Sequence, residues 1–503
     1  MLTKGLTNSF KFLSLYFGFC FFSISSSGQV LVNKNISDTI NKSALFEVRS
    51  NEKGFLPPVM SSTARKKILN PAEGLMVYDS VKQRMFVFTR DGWRPLLFGF
   101  DSSSFQDPQK PSVPGLIGDG YLGHVTSIFG DFAVAGVPYD IVNGKSQQGS
   151  VIVFKRDGNL WNYFAKITAP DGNAGDWFGL SVVILHNSIF IGAPKSSSLE
   201  NINEGSVYVF NITDGIIQFQ QKITGLSASS GDRFGSSICV NNTDLVIGAP
   251  LDDIGINSDQ GSIYIFNQNP FNVWIQNQKL FLNNGQANDL FGFGLSIDSN
   301  MLSVGNDISI ASGNFGYSQN AVNIFEKVNQ GWVHKALINQ PDGLDKMEGF
   351  GFSTNIYRDV LVVGAWLHDT PTNNINRGAA YVFKRDNLGV WNFMQKISPQ
   401  DLSSGNPGNF YGDYYGYSIS RDKNSLLINA HFDDLSTSLN DRGAVYYYEW
   451  IGTGFLFKNK FISPNSQAFE NFGSSSAILD DTIMIGASGR DGNKGAVFFL
   501  IKE

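Results

Sequence analysis

Residues 231–280 read GDRFGSSICVNNTDLVIGAPLDDIGINSDQGSIYIFNQNPFNVWIQNQKL, and four short strands can be marked on them. Gly231-Asp232-Arg233-Phe234-Gly235 opens the stretch, and Ser236 to Val240 reads as a first strand. Asn241 to Asp244 is a tight turn, and Leu245-Val246-Ile247 is a second strand ending at Gly248-Ala249-Pro250. A polar loop carrying Asp252, Asp253, Asn257 and Ser258 leads through Gly261 to a third strand, Ser262 to Phe266. After Trp274, Gln278-Lys279-Leu280 reads as a fourth. Four hairpin-connected strands make one antiparallel sheet. The first two are apolar almost throughout, which predicts burial on both faces, as when sheets stack around an axis.

Working outward, the same grammar recurs. Leu122, Phe178, Phe234, Phe291, Phe350, Tyr415 and Phe472 each precede a glycine. Fourteen residues after the opening residue, Gly192, Gly248, Gly305, Gly364 and Gly486 end an apolar run, whereas unit six has drifted to Ile428-Asn429-Ala430. The structural signature is thus Phe178-Gly179 with Gly192, Phe234-Gly235 with Gly248, Phe291-Gly292 with Gly305, Phe350-Gly351 with Gly364 and Phe472-Gly473 with Gly486. Repeats of this length, built from short strands, predict an all-β, seven-bladed β-propeller of four-stranded antiparallel blades. The glycine after Phe is expected to admit a neighbouring backbone, and the one before Ala-Pro to take a turn conformation.

Closure is also predicted. The chain ends just after the third strand of unit seven, whereas Lys110 lies twelve residues before Leu122, as Lys166, Lys222, Lys279 and Lys460 do before their own opening residues. Gln109-Lys110 is therefore placed to supply the missing outer strand of the last blade.

A net charge of -6 without a long basic run argues against nucleic acid as a partner. Lys4, the apolar stretch from Phe10 to Ile24 and the small residues Ser25 to Gly28 have the order of a secretory signal, so residues 1–28 are expected to be removed, leaving no membrane span. A secreted or cell-surface protein follows. Cys239 is then the single remaining cysteine, and no disulfide framework can form within one chain.

These in-phase units resemble the FG-GAP repeat family, which builds the seven-bladed propeller of integrin α-chains and of many exported bacterial proteins. The resemblance covers residues 109–503 and implies an extracellular recognition or adhesion platform. One feature of the integrin type is missing. Its calcium loop between first and second strands is replaced here by short hairpins such as His186-Asn187-Ser188 and Asp480-Asp481, too short and too poor in oxygen ligands to wrap the ion. No metal site of that type and no cofactor is expected.

Residues 29–100 read as a separate small β-rich module, followed by a linker at 101–108. Its Gly54-Phe55-Leu56-Pro57-Pro58, a helical Ser62 to Leu69 and Gly74 to Tyr78 resemble a module of exported bacterial surface and tail-fibre-like proteins. So small a unit would dock on the propeller or self-associate into a homo-oligomer.

Function is expected where the repeat departs from itself. Trp366 replaces the proline of Gly-Ala-Pro, and Tyr411 lies in the insertion before Tyr415. His368-Asp369 and His431-Phe432-Asp433-Asp434 fall on the loop-rich face of neighbouring blades five and six. Trp366, His368, Asp369, Tyr411, His431, Asp433 and Asp434 are therefore the candidate ligand-binding residues, for a protein or glycan. Loop aspartates such as Asp176, Asp232 and Asp289 also have a plain role as turn residues. No catalytic constellation is marked, and the first strands, which should line the channel, are mostly Ser, Val, Ile and Gly. A propeller hydrolase or lyase acting on extracellular polysaccharide, or a structural surface component, are the alternatives.

Overall fold

The structure is a computed structural model, and it describes residues 30–33, 46–49, 57–81, 84–89, 92–95, 105–116, 118–306, 321–342, 348–368, 376–398, 412–433 and 441–502. Two compact units divide the chain, Met1–Phe100 and Asp101–Glu503. The segment read as a secretory signal lies outside the described residues.

In the first unit, Val30–Asn33 pairs in parallel with Phe46–Arg49. A second sheet orders Val59–Met60, Met76–Asp79, Arg84–Thr89 and Gly92–Pro95. The helix expected over 62–69 stops at Lys66; Ser61 caps its start by accepting the Ala64 N–H at 3.2 Å. Arg65, 5% exposed, bonds Asp79 at 2.9 Å and lays its guanidinium 3.8 Å over the Phe86 ring. In so small a core, a charge can stay buried only because it is paired and stacked.

In the second unit the described strands form six four-stranded sheets and a three-stranded one. Blade three comprises Ser237–Val240, Asp244–Ala249, Ser262–Gln268 and Trp274–Leu280. Trp274 thus begins the fourth strand rather than preceding it. The second strand is buried along its whole length, whereas the first and the fourth are buried only in part, so burial peaks in the middle of the blade. First strands touch the first strands of both neighbouring blades, including Phe472–Leu479 against Thr126–Phe129, so the seven sheets close into a ring.

Two sets of glycines make the joints: the glycine after Phe admits a neighbouring backbone as expected, a Cβ at Gly179 falling 2.5 Å from the Ser150 carbonyl oxygen, whereas the glycine ending the second strand differs from the expectation. The glycine after Phe is the one in the left-handed region, with φ +93° at Gly179 and +101° at Gly292. The glycine ending the second strand has ordinary strand geometry, but a Cβ there would overlap the carbonyl oxygen of the next blade's Phe-Gly glycine. Gly136 meets Gly179 in this way, Gly192 meets Gly235, Gly248 meets Gly292, Gly305 meets Gly351, Gly364 meets Gly416, and Gly486 meets Gly123 across the closure. In blade six, Asn429 replaces this glycine and donates its side-chain Nδ2 to the Gly473 carbonyl at 2.9 Å. Drift in the repeat is compensated by a hydrogen bond at the same joint.

The last blade, Phe472–Leu479, Thr482–Ala487 and Ala496–Ile501, is completed from the other end of the unit. Gln109 and Phe499 exchange both backbone hydrogen bonds at 2.8 Å, and the Gln106 N–H reaches the Ile501 carbonyl at 2.9 Å. Pairing begins at Phe105, opposite Lys502, so part of the stretch read as a linker already belongs to the clasp.

Candidate functional site

Each blade's first strand is entered, and its second left, on one face, and the residues at these points converge there. The position two past the opening residue holds His124, Phe293, Phe352 and Tyr417 in blades one, four, five and six. The position just before it holds Tyr121, Trp177 and Tyr414, and the position after Gly-Ala holds Trp366 and His431. Ring contacts link them. Phe352 lies 4.9 Å from Phe293, 5.5 Å from Trp366 and 4.7 Å from Tyr417 between centroids. Tyr417 continues to His431 at 4.2 Å, and Trp366 to Tyr414 at 4.6 Å. In blades one and two, Tyr139 meets Tyr121 and Trp177 at 5.4 Å each.

Between blades six, seven and one this aromatic layer opens into a cavity of about 530 Å3, within the size range of ligand sites. Tyr121, His124, Tyr139, Tyr417 and His431 supply its rings, and Asn471, Ser474 and Ser488 its polar groups. Burial holds His124 down to about 4, and burial together with the nearby His124 holds His431 down to about 3. Both imidazoles are therefore neutral at pH 7, so the bowl offers π faces and hydrogen-bonding groups, with Asp119 the one acidic residue of its lining. Beside it, the Lys195 ammonium sits 3.4 Å over the Trp177 ring.

The sequence-derived candidates separate. Trp366 and His431 join the aromatic layer through Tyr414 and Tyr417. His368 lies elsewhere, with Nδ1 against Glu348 and Nε2 2.7 Å from the Lys396 Nζ, so it does not share a site with His431. Asp433, 1% exposed, pairs with Lys460 at 2.8 Å and accepts the Tyr446 hydroxyl at 2.6 Å. Asp369, Tyr411 and Asp434 lie outside the described residues.

The Asp433 arrangement is a blade module. Tyr264 and Lys279, opposite each other across the third and fourth strands, hold Asp252; Tyr208 and Lys222 hold Asp171; Tyr381 and Lys396 hold Asp342. The lysines that phase the repeat are thus counterions to loop carboxylates, and several loop aspartates, such as Asp252 and Asp433, are internal. Asp176, Asp232 and Asp289 act as turn residues, each accepting the N–H of the residue three before it at 2.6 to 2.7 Å. Among the described residues no group of three or more His, Cys, Asp or Glu side chains is placed to hold a metal ion.

Reading single residues misses Tyr121, His124, Tyr139, Trp177, Phe293, Phe352 and Tyr417. The signal that finds them is columnar: aligning the seven units stacks aromatic rings in the positions flanking Phe-Gly and Gly-Ala.

Residues 161–210, 217–266 and 332–383 match the FG-GAP repeat. The chain carries FG-GAP repeats. Each match runs from one blade's fourth strand through the next blade's third, the same one-strand offset that Gln109 closes. The FG-GAP propeller is similar to integrin α-chains: it is 27% identical over 183 residues to integrin alpha-2 of Bos taurus, covering 33% of this chain and 15% of that protein. It is 33% identical over 105 residues to integrin alpha-PS5 of Drosophila melanogaster, covering 18% of this chain and 10% of that protein. The matched stretches therefore span a small part of these relatives. Residues 35–107 match the phage tail like trimerisation region. No helix among the described residues is long and apolar enough to cross a membrane.

Proposed function

We propose that this FG-GAP protein is an exported, non-enzymatic recognition protein that binds a protein or glycan through the aromatic bowl on the loop face of its propeller. The observation that carries the reading is the bowl itself. Tyr and neutral His rings from blades one and six line a concave surface with amide, hydroxyl and one acidic group at its edge, the chemistry of sites that hold polar ligands with apolar faces. Likeness to integrin α-chains supports an adhesion-type role. A polysaccharide hydrolase or lyase would need an acid and a base converging on one reacting atom, and His124 and His431 are poor proton donors near neutral pH.

The match at residues 35–107 supports a second element of the proposal, a homotrimer formed through the N-terminal unit, which would present three propellers at once. Capture of cell-surface or matrix material on the immobilised full chain tests the first element: Tyr139→Ala with Tyr417→Ala should lose capture while keeping thermal stability. Capture unchanged by that pair would refute a role for the bowl. Sedimentation equilibrium tests the second, and a monomer across micromolar concentrations would refute it.

A further inference from the structure

Blade four breaks a module that four of the other blades share. Where Tyr208 faces Lys222, Tyr264 faces Lys279, Tyr381 faces Lys396 and Tyr446 faces Lys460, the register of blade four sets Asn323 opposite Leu337. Ring and ammonium are both gone, and a cleft of about 380 Å3 stands in their place. Amides from two directions line it. Asn283, Asn284 and Gln286 come from the connection leaving blade three, Asn306 follows the end of the second strand of blade four, and Asn323 lies in its third strand.

We propose that this cleft is a binding site for a single neutral sugar unit, such as a hexose or an N-acetylhexosamine. The lining chooses the ligand class. Each amide both donates and accepts, as each sugar hydroxyl does, so vicinal hydroxyls can be met pairwise. Neither Lys nor Arg lines the cleft, so an anionic ligand finds no counterion, and its one acidic residue, Asp289, is 5% exposed and has its Oδ2 engaged by the Gln286 N–H at 2.7 Å. Asn323 and Asn306 are 2% and 4% exposed and keep their orientation through neighbours: His334 Nε2 lies 3.0 Å from the Asn323 Oδ1, and Asn323 Nδ2 donates to the Asn306 Oδ1 at 3.3 Å. At the rim, Phe281 and Leu337 are 41% and 43% exposed and offer apolar surface to the C–H face of a pyranose. The volume lies within the range of small-molecule sites.

This site is built from blades three and four, apart from the aromatic bowl, and does not depend on the reading of that bowl. Saturation-transfer NMR on the full chain with a panel of neutral hexoses and N-acetylhexosamines should detect at least one ligand. Asn323→Tyr, which refills the cleft with the residue of four sister blades, should weaken that ligand at least tenfold, and so should Asn284→Ala on the loop. Tyr417→Ala in the bowl should leave it unchanged. The proposal is overturned if no sugar of the panel binds, or if binding is equal in wild type, Asn323→Tyr and Asn284→Ala. Should Asn323→Tyr fail to fold, Asn284→Ala and Gln286→Ala decide alone.

Discussion

The Gln109 side chain clamps the backbone of Trp161, donating to its carbonyl at 2.7 Å and accepting from its N–H at 2.8 Å. One amide thereby joins the outer edge of the last blade to that of the first. The same two-point clamp recurs between Gln221 and Trp274, Gln278 and Trp332, and Gln395 and Phe455. Gln109-Lys110 is thus a displaced fourth strand in chemistry as well as in phase.

Replacing Gln109 by Ala should remove two part-buried hydrogen bonds that hold the clasp strand against blade one. Each contributes about 1 kcal/mol, so a loss of about 2 kcal/mol is expected in chemical denaturation, with faster proteolysis near Phe105. The equivalent Gln221→Ala should cost a similar amount without exposing the clasp to protease. Equal protease sensitivity in the two variants would show that the clasp is not the weak point.

Glycines at the joints should separate by mechanism. Gly364→Ala drives a Cβ into the Gly416 carbonyl, backbone that cannot move aside, and should cost about 3 kcal/mol or more, or prevent folding. Gly158→Ala, at φ +62° in open space, should cost only about 1 kcal/mol. Comparable melting temperatures for these two variants would contradict the packing account.

Asp433→Ala should be a stability variant before it is a binding variant. It leaves the mostly buried Lys460 without its partner at 2.8 Å, and breaking such a pair costs about 3 kcal/mol. A variant with wild-type stability and lost ligand capture would return Asp433 to the ligand-binding residues.

The bowl histidines predict a pH dependence. Both are held well below the ordinary 6.5, so on acidification the unfolded chain takes up protons that the folded chain refuses. Their contribution to stability is full above about pH 6.5 and declines as the pH falls toward 4, levelling off only as His431 protonates at about 3. Carboxyls raised by burial, such as Asp232 at about 6, act in the opposite sense, so the readout is a difference. The melting temperature of His124→Gln with His431→Gln should vary less between pH 7 and 4 than that of the wild type. An identical slope would mean the rings are solvated.

Much of the architecture was open to reading because a propeller is periodic. Phe234, Gly235, Gly248 and Lys279 recur in register, and each recurrence marks the same joint, so seven copies locate every blade and the strand missing from the last one. Which of the two glycines takes the left-handed φ was not open to reading. Close approach of a neighbouring blade's carbonyl selects glycine at both positions, and only the backbone geometry shows that the glycine after Phe is left-handed while the one ending the second strand is not. Nor was Trp274's place inside its strand, since a bulge between Ile265 and Phe266 shifts the pairing.

The candidate site divides along the same line. Trp366 stood out because it broke a motif, and it does lie in the aromatic layer; Asp433 and His368 stood out as polar loop residues, yet partners two strands away draw them into blade interiors. By itself the sequence determined the number of blades, their phase and the clasp, because these follow from local strand patterns repeated along the chain. Tertiary structure alone decided which carboxylates are internal counterions, which rings meet around the axis and where blade four is hollow. Those properties depend on distances between units some fifty residues apart, and no local pattern encodes them.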